Sequence, residues 1–138
     1  MKQEDRELLL ADLCARLPYY PKCEMIDELR VVNNEKDSSY ISTLFPKHIE
    51  LFSYHNNFTI KPYLRPMSSM TEEECIELDN IEATIEDVSK VIPNVPYHIE
   101  VVSPKQIDWL NAHHFDYRGL IPMGLAIAVT EENNPYKE

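Results

Sequence analysis

The chain has 138 residues, 43% of them apolar, with 13 basic and 24 acidic side chains, a net charge of 13 − 24 = −11. That length and apolar content fit one domain with a core of its own. Nucleic acids and anionic membranes are bound largely through Lys and Arg contacts with phosphates, so a charge this negative, with bases scattered singly, argues against both.

Glu4 to Leu17 reads as a helix, with Leu9, Leu10, Leu13, Cys14 and Leu17 forming an apolar stripe and Pro18 ending it. Cys23 to Ile26 and Leu29 to Val32 are short strand candidates, followed by a polar loop, Asn33 to Ser39. Tyr40 to Phe45 fits either a strand or a helical turn. Ile49 to Tyr54 and Phe58 to Leu64 read as paired strands across Asn56-Asn57, because Asn tolerates the positive φ of a two-residue hairpin turn. Pro62 predicts an edge position or a ladder gap in the second strand.

Thr71 and Glu74 spell a T-x-x-E capping box, with Met70 and Cys75 at the positions of a hydrophobic staple. The recurrence of Cys75, Leu78, Ile81, Ile85, Val88 and Ile92 predicts one long buried seam ending at Pro93, with a possible break near Asn80. The opposite face is acidic: no Lys or Arg lies between Arg65 and Lys90. Tyr97 to Val102 alternates like a strand. Ser103, Pro104 and Gln106 signal a further helix running to about His114, stapled by Val102 and Ile107. Gly124 to Thr130 reads as a last strand, and Asn133 to Glu138 as a frayed tail. Strands and helices mix without a βαβ rhythm, so the expected fold is α+β: a mostly antiparallel sheet packed with about three helices.

The only two glycines, Gly119 and Gly124, concentrate tight backbone geometry in RGLIPMG. The expected roles are a helix end at Gly119 and a strand start at Gly124. The segment lacks the spacing and the Lys-Ser/Thr of a phosphate loop, and no cofactor is expected. Cys14, Cys23 and Cys75 are odd in number and irregularly spaced, which argues against a disulfide framework or a paired-Cys zinc site and for a reducing cytoplasm. Cys14 and Cys75, on apolar stripes, are expected in the core.

The candidates for catalysis are His113, His114, Asp116 and Arg118. Adjacent imidazoles diverge by about 100° on a helix, so the pair is poorly placed to chelate one metal. The competing expectation packs one imidazole beside Trp109 and sets the other at the helix end. His98 and Glu100 are further possible partners for the pair. Arg118 is expected to tie to Asp116 or to a carbonyl, and Arg65 to pair with carboxylates of the acidic helix. The candidate binding surface comprises Glu77, Glu82 and Glu86 together with Tyr117 and Arg118. No hydrolase motif is present.

ELLLADLCARLPY, IKPYLRPMSSMTEEE and IDWLNAHHFDYRGLIPMGLA resemble segments of a family of short proteins without assigned activity from gut Bacteroidetes and their phages or mobile elements. The resemblance covers about a third of the chain. It implies a bacterial cytoplasmic setting and a link to mobile elements, and supplies no mechanism. The composition favours a non-catalytic accessory or regulatory module that binds another, basic, protein. The alternatives are an enzyme or metal-dependent site at the His-His/Asp-Tyr-Arg segment, and a phage-type inhibitor whose acidic face imitates a nucleic-acid backbone.

Overall fold

A computed structural model describes residues 1–81 and 103–137, together with the backbone of 90–91 and 100–101. The first helix, α1 (Gln3–Arg16), ends at a 3-10 turn, Leu17–Tyr19. Its buried face is Leu9, Asp12, Leu13 and Arg16, spaced i, i+3, i+4 and i+7. The expected stripe is therefore rotated by one position. Cys14 is exposed rather than in the core, and two charged residues take the inward positions.

Strand β1 (Lys22–Asp27) pairs antiparallel with β4 (Ser39–Thr43). Between them the chain projects as an arm made of β2 (Val31–Val32) and β3 (Glu35–Lys36). Its turn is Asn33-Asn34, with φ of 54° and 66°. Two consecutive positive φ values suit a tight hairpin whose twist matches its strands. The Asn-Asn chemistry expected at residues 56–57 thus operates at 33–34.

Residues expected as the first strand of that hairpin form α2 (Pro46–Tyr54). Pro46 is preset for the first helical turn. The Phe45 amide donates to His48 Nδ1 at 3.0 Å, closing the helix start. His48 and Phe52 face inward. Burial, and then the charge of Lys47, hold the His48 imidazole below its ordinary pKa.

Strand β5 (Phe58–Leu64) follows, antiparallel to β1 and parallel to β8 (Ile127–Ala128), giving the order β4-β1-β5-β8. β5 is interior where Tyr63 and Leu64 meet β8, and that ladder begins directly after Pro62. The α+β expectation matches: four helices stand among the described residues, around a mixed four-stranded sheet.

A 3-10 turn, Met67–Ser69, leads to α3 (Glu72–Asp79). Its capping box is complete: Thr71 Oγ1 accepts from the Glu74 amide at 3.2 Å, and Glu74 Oε1 accepts from the Thr71 amide at 3.1 Å. Met70 and Cys75 are both buried in one apolar cluster. α3 stops at Asp79, and Lys90–Val91 is a strand, β6, paired with β7 (Glu100–Val101). The expected continuous helix to Ile92 is therefore wrong. Its seam residues Ile85, Val88 and Ile92 lie outside the described residues, as do Pro93, His98 and the Tyr97 end of the expected strand.

α4 (Pro104–Ala112) starts where Ser103 Oγ accepts from the Gln106 amide at 3.2 Å. Val102, the expected staple partner of Ile107, lies outside the described residues. Gln106 Nε2 donates to the Leu78 carbonyl, tying α4 to the end of α3.

The core has two clusters. Leu9, Leu13, Cys23, Met25, Phe52, Ile60 and Leu64 pack α1 and α2 against the sheet. Met67, Met70, Cys75, Leu78, Leu110 and Phe115 join α3 to α4. Each fully buried Leu or Phe contributes on the order of 1.5–3 kcal/mol. Replacing Thr71 by Ala is expected to cost about 1 kcal/mol, read as a lower urea midpoint at unchanged slope.

Candidate functional site

The residues singled out from sequence gather where α4 hands over to the end of β5. The Phe115 amide donates to the Leu110 carbonyl and the His114 amide to the Asn111 carbonyl, at 3.0 and 3.1 Å. These are the two bonds of a Schellman motif, which requires a left-handed residue at its turn. His114 fills that place with φ 63°. The expected helix end at Gly119 is corrected accordingly: α4 stops well before it, at a position where glycine would be the cheaper residue.

From His114 the chain runs beside β5. Arg65 N–H donates to the His114 carbonyl and Asp116 N–H to the Arg65 carbonyl, at 2.7 and 2.9 Å. Asp116 then spends both carboxylate oxygens on the amides of Leu120 and Ile121, at 2.8 and 2.9 Å. The turn it starts closes at Gly124, whose φ is 75°; the Gly124 and Leu125 amides donate to the Ile121 and Leu120 carbonyls. Gly119 (φ 77°) and Gly124 have no atom within 4 Å of an added Cβ, so backbone conformation alone requires glycine there.

His113 and His114 part at the Schellman turn. His113 stacks on Trp109, with ring centroids 3.9 Å apart, and its Nδ1 lies 2.8 Å from the Trp109 carbonyl. His114 stacks on Tyr136, with centroids 4.0 Å apart. Asp116 faces neither ring by hydrogen bond or ion pair among the described residues, and no cluster there could hold a metal.

Tyr136 also holds the C-terminal segment that was expected to fray. Its hydroxyl accepts from the Lys22 amide at 3.0 Å and donates to the Tyr63 carbonyl at 2.8 Å. Burial pushes its phenol pKa up.

Arg118 pairs with Asp12, its Nε 3.1 Å from Oδ1 but off hydrogen-bond alignment, and not with Asp116 or a carbonyl as expected. Its Nη2 donates to Tyr117 Oη at 3.2 Å, and that hydroxyl donates to Asn111 Oδ1 at 3.0 Å. The other Asp12 oxygen accepts from Arg16 Nε at 2.8 Å, and Arg16 Nη2 donates to the Phe115 carbonyl at 2.6 Å. Asp12 and Arg16 are both fully buried. This buried ion pair is the feature of the region that the sequence reading missed. Its signal was present: charges four residues apart, placed at i+3 and i+7 from Leu9.

Arg65 pairs with Glu74, as expected, through two contacts of 2.6 Å. Burial raises the Glu74 pKa, but the Arg65 and Thr71 hydrogen bonds outweigh it and hold the carboxyl below its ordinary value. Glu77, on the exposed face of α3, accepts from Trp109 Nε1 at 3.1 Å. Glu82 and Glu86 lie outside the described residues.

The chemistry is that of an ionic joint. Burial is the main cause that pushes the Cys23 thiol to about 12, far from a thiolate at neutral pH. Burial also holds His114 at about 4, aided by the charges of Arg16, His113 and Arg65. A general base for neutral pH works best with a pKa near 7. Comparison with protein-family models, with curated proteins and with solved structures finds no match.

Two outcomes follow from the joint. Removing the Asp12 charge leaves two guanidiniums without their carboxylate, so Asp12→Asn is expected to cost about 3–5 kcal/mol in urea unfolding, and Asp12→Leu combined with Arg16→Met to cost less than that single change. A His with a lowered folded pKa is neutral in the native state while the unfolded chain takes up a proton. Its contribution is complete above the ordinary value of 6.5 and is lost as pH falls toward 4. Between pH 6.5 and 5, wild type is expected to lose on the order of 2 kcal/mol more than His114→Gly, measured by denaturant unfolding at each pH.

Proposed function

We propose that this protein works by binding another protein, with the β2–β3 arm as its contact element. The observation that carries the reading is the arm's surface: Leu29, Val31 and Val32 are 73%, 62% and 38% exposed. Val31 and Val32 point to opposite faces of a ribbon with two residues per strand. Such a ribbon is marginal in water, and a partner that covers it supplies the missing burial. Ile41, 56% exposed, extends the apolar surface onto β4, which is an edge strand of the sheet among the described residues.

The net charge of −11 favours a partner with a basic surface. Asp27, Glu28, Glu35 and Asp37 outnumber Arg30 and Lys36 around the arm, and Arg30 is already paired with Asp37 at 2.9 Å. Glu72, Glu73 and Glu77 on α3 form a smaller acidic surface than a long helix would have offered. The displaced pKa values of Cys23 and His114 support a non-catalytic role. Three free cysteines, one of them exposed, suit a reducing cytoplasm. No helix among the described residues is long and apolar enough to cross a membrane.

The test is affinity capture from a bacterial lysate with wild type, with Leu29→Ser/Val31→Ser/Val32→Thr, and with Glu72→Lys/Glu73→Lys. The arm variant is expected to lose its captured protein at unchanged melting behaviour, whereas the charge variant weakens capture in a salt-dependent way. Undiminished capture by the arm variant would contradict the reading.

A further inference from the structure

The C-terminal segment is pinned to the body by one side chain. The Val129 amide donates to the Leu64 carbonyl at 2.8 Å. Beyond it, Thr130 bonds Asn133, and Asn134 bonds Tyr136 and Lys137, all within the segment. Among the described residues, the Tyr136 hydroxyl makes the segment's outward hydrogen bonds.

Strand register shows what that hydroxyl replaces. β1 and β5 run antiparallel, with Cys23 opposite Pro62 as their last paired residues. The Glu28 amide donates to the Asn57 carbonyl. Hydrogen-bonded pairs recur at every second residue, so the ladder's next rungs fall at Ile26–Thr59, Glu24–Lys61 and Lys22–Tyr63. At Lys22–Tyr63 the Tyr136 hydroxyl is inserted. It accepts from the Lys22 amide at 3.0 Å and donates to the Tyr63 carbonyl at 2.8 Å. Tyr63 is also where β5 takes β8 as a neighbour.

The Tyr136 ring lies on His114, with centroids 4.0 Å apart and planes 12° from parallel. His114 Nδ1 is buried with no partner among the described residues. The charged groups around it are engaged elsewhere. On α1, Arg16 holds Asp12 and the Phe115 carbonyl; at the end of β5, Arg65 holds Glu74. On the turn itself, Asp116 is bonded to two amides, Arg118 pairs with Asp12, and His113 stacks on Trp109. On β1, Lys22 bonds Thr43 and the Cys23 thiol stays protonated. Glu131, Glu132 and Lys137 are exposed. Among the described residues no carboxylate forms an ion pair with the imidazole. A proton on His114 gains from the phenol face, but a buried charge without an acceptor loses more.

We propose that residues 130–137 form an acid-released latch, in which Tyr136 is the bolt and proton uptake by His114 frees it. Lifting the ring admits water to the imidazole. It also uncovers the Lys22 N–H and the Tyr63 C=O, a donor and an acceptor on neighbouring strands. The His114 pKa, lowered to about 4, supports the direction: the closed latch disfavours the proton, so the proton favours the open latch. Closure is complete above the ordinary value of 6.5 and weakens as pH falls toward 4.

The experiment measures amide exchange and the His114 titration by NMR on the full chain. The Lys22 amide reports the latch. The Leu44 amide, bonded to the Pro21 carbonyl in the same sheet, reports opening of the sheet. At pH 7.5, Lys22 is expected to be protected about tenfold or more less than Leu44, because the latch opens without the sheet. Its protection is expected to fall by about thirtyfold between pH 7.5 and 5, the linkage factor for a ring at about 4 closed and 6.5 open. In His114→Gly, which suits the left-handed position, that fall is expected to shrink to less than about threefold. In Tyr136→Ala the His114 titration midpoint is expected to rise toward 6.5. Equal protection of Lys22 and Leu44 at both pH values, a comparison that needs no variant, would overturn the proposal. So would an undiminished fall in His114→Gly, or an unchanged midpoint in Tyr136→Ala.

Discussion

The buried contact between Arg16 and Asp12 is the constraint on which the arrangement depends. It takes two charges out of water at a cost that only close geometry offsets. Arg16 meets that condition in two directions. It holds Asp12 one turn back on α1 and reaches the Phe115 carbonyl, 99 residues along the chain. A helix that would otherwise slide on its leucines is thereby given one position relative to α4. The contact lies where the two apolar clusters adjoin, since Leu13 belongs to one and Phe115 to the other.

The handover after α4 depends on the same joint. Phe115 is at once the Schellman closing residue, the carbonyl partner of Arg16 and a ring beneath the Arg65 guanidinium at 4.1 Å. Arg65 in turn holds Glu74, which caps α3. A chain of charged contacts, with a cation–π step at the Phe115 ring, therefore runs from α1 past the end of β5 to α3. Its members are mutually dependent, because stranding any one charge in the interior costs more than the bond itself is worth.

Much of the scaffold was legible in the residues. Glu4–Leu17, Phe58–Leu64 and the caps at Thr71 and Ser103 were readable because local chemistry and tertiary burial agree there. The segment 46–54 was misread because Ile49, Leu51 and Phe52 suit a strand as well as a helix; Pro46 and His48 decided for the helix. Asn33-Asn34 and Asn56-Asn57 carry identical turn chemistry, and only the pairing of β1 with β4 selects the first. The continuous acidic helix failed because periodicity alone carries across a stop; the alternative break near Asn80 is where α3 ends.

The site was legible in its members but not in its connections. His114, Tyr117 and Arg118 were visible as unusual residues, yet their partners Tyr136, Asn111 and Asp12 come from distant parts of the chain. Asp12 and Arg16 drew no notice in the sequence, because an i, i+4 pair of opposite charges is common on exposed helix faces and only burial sets this one apart. The most direct measurement of the central claim is hydrogen exchange at the Arg16 Nε–H, followed by NMR in the native protein. The account predicts exchange only through global opening, as slow as that of the most protected core amides. Exchange at the rate of a solvent-exposed guanidinium would contradict it.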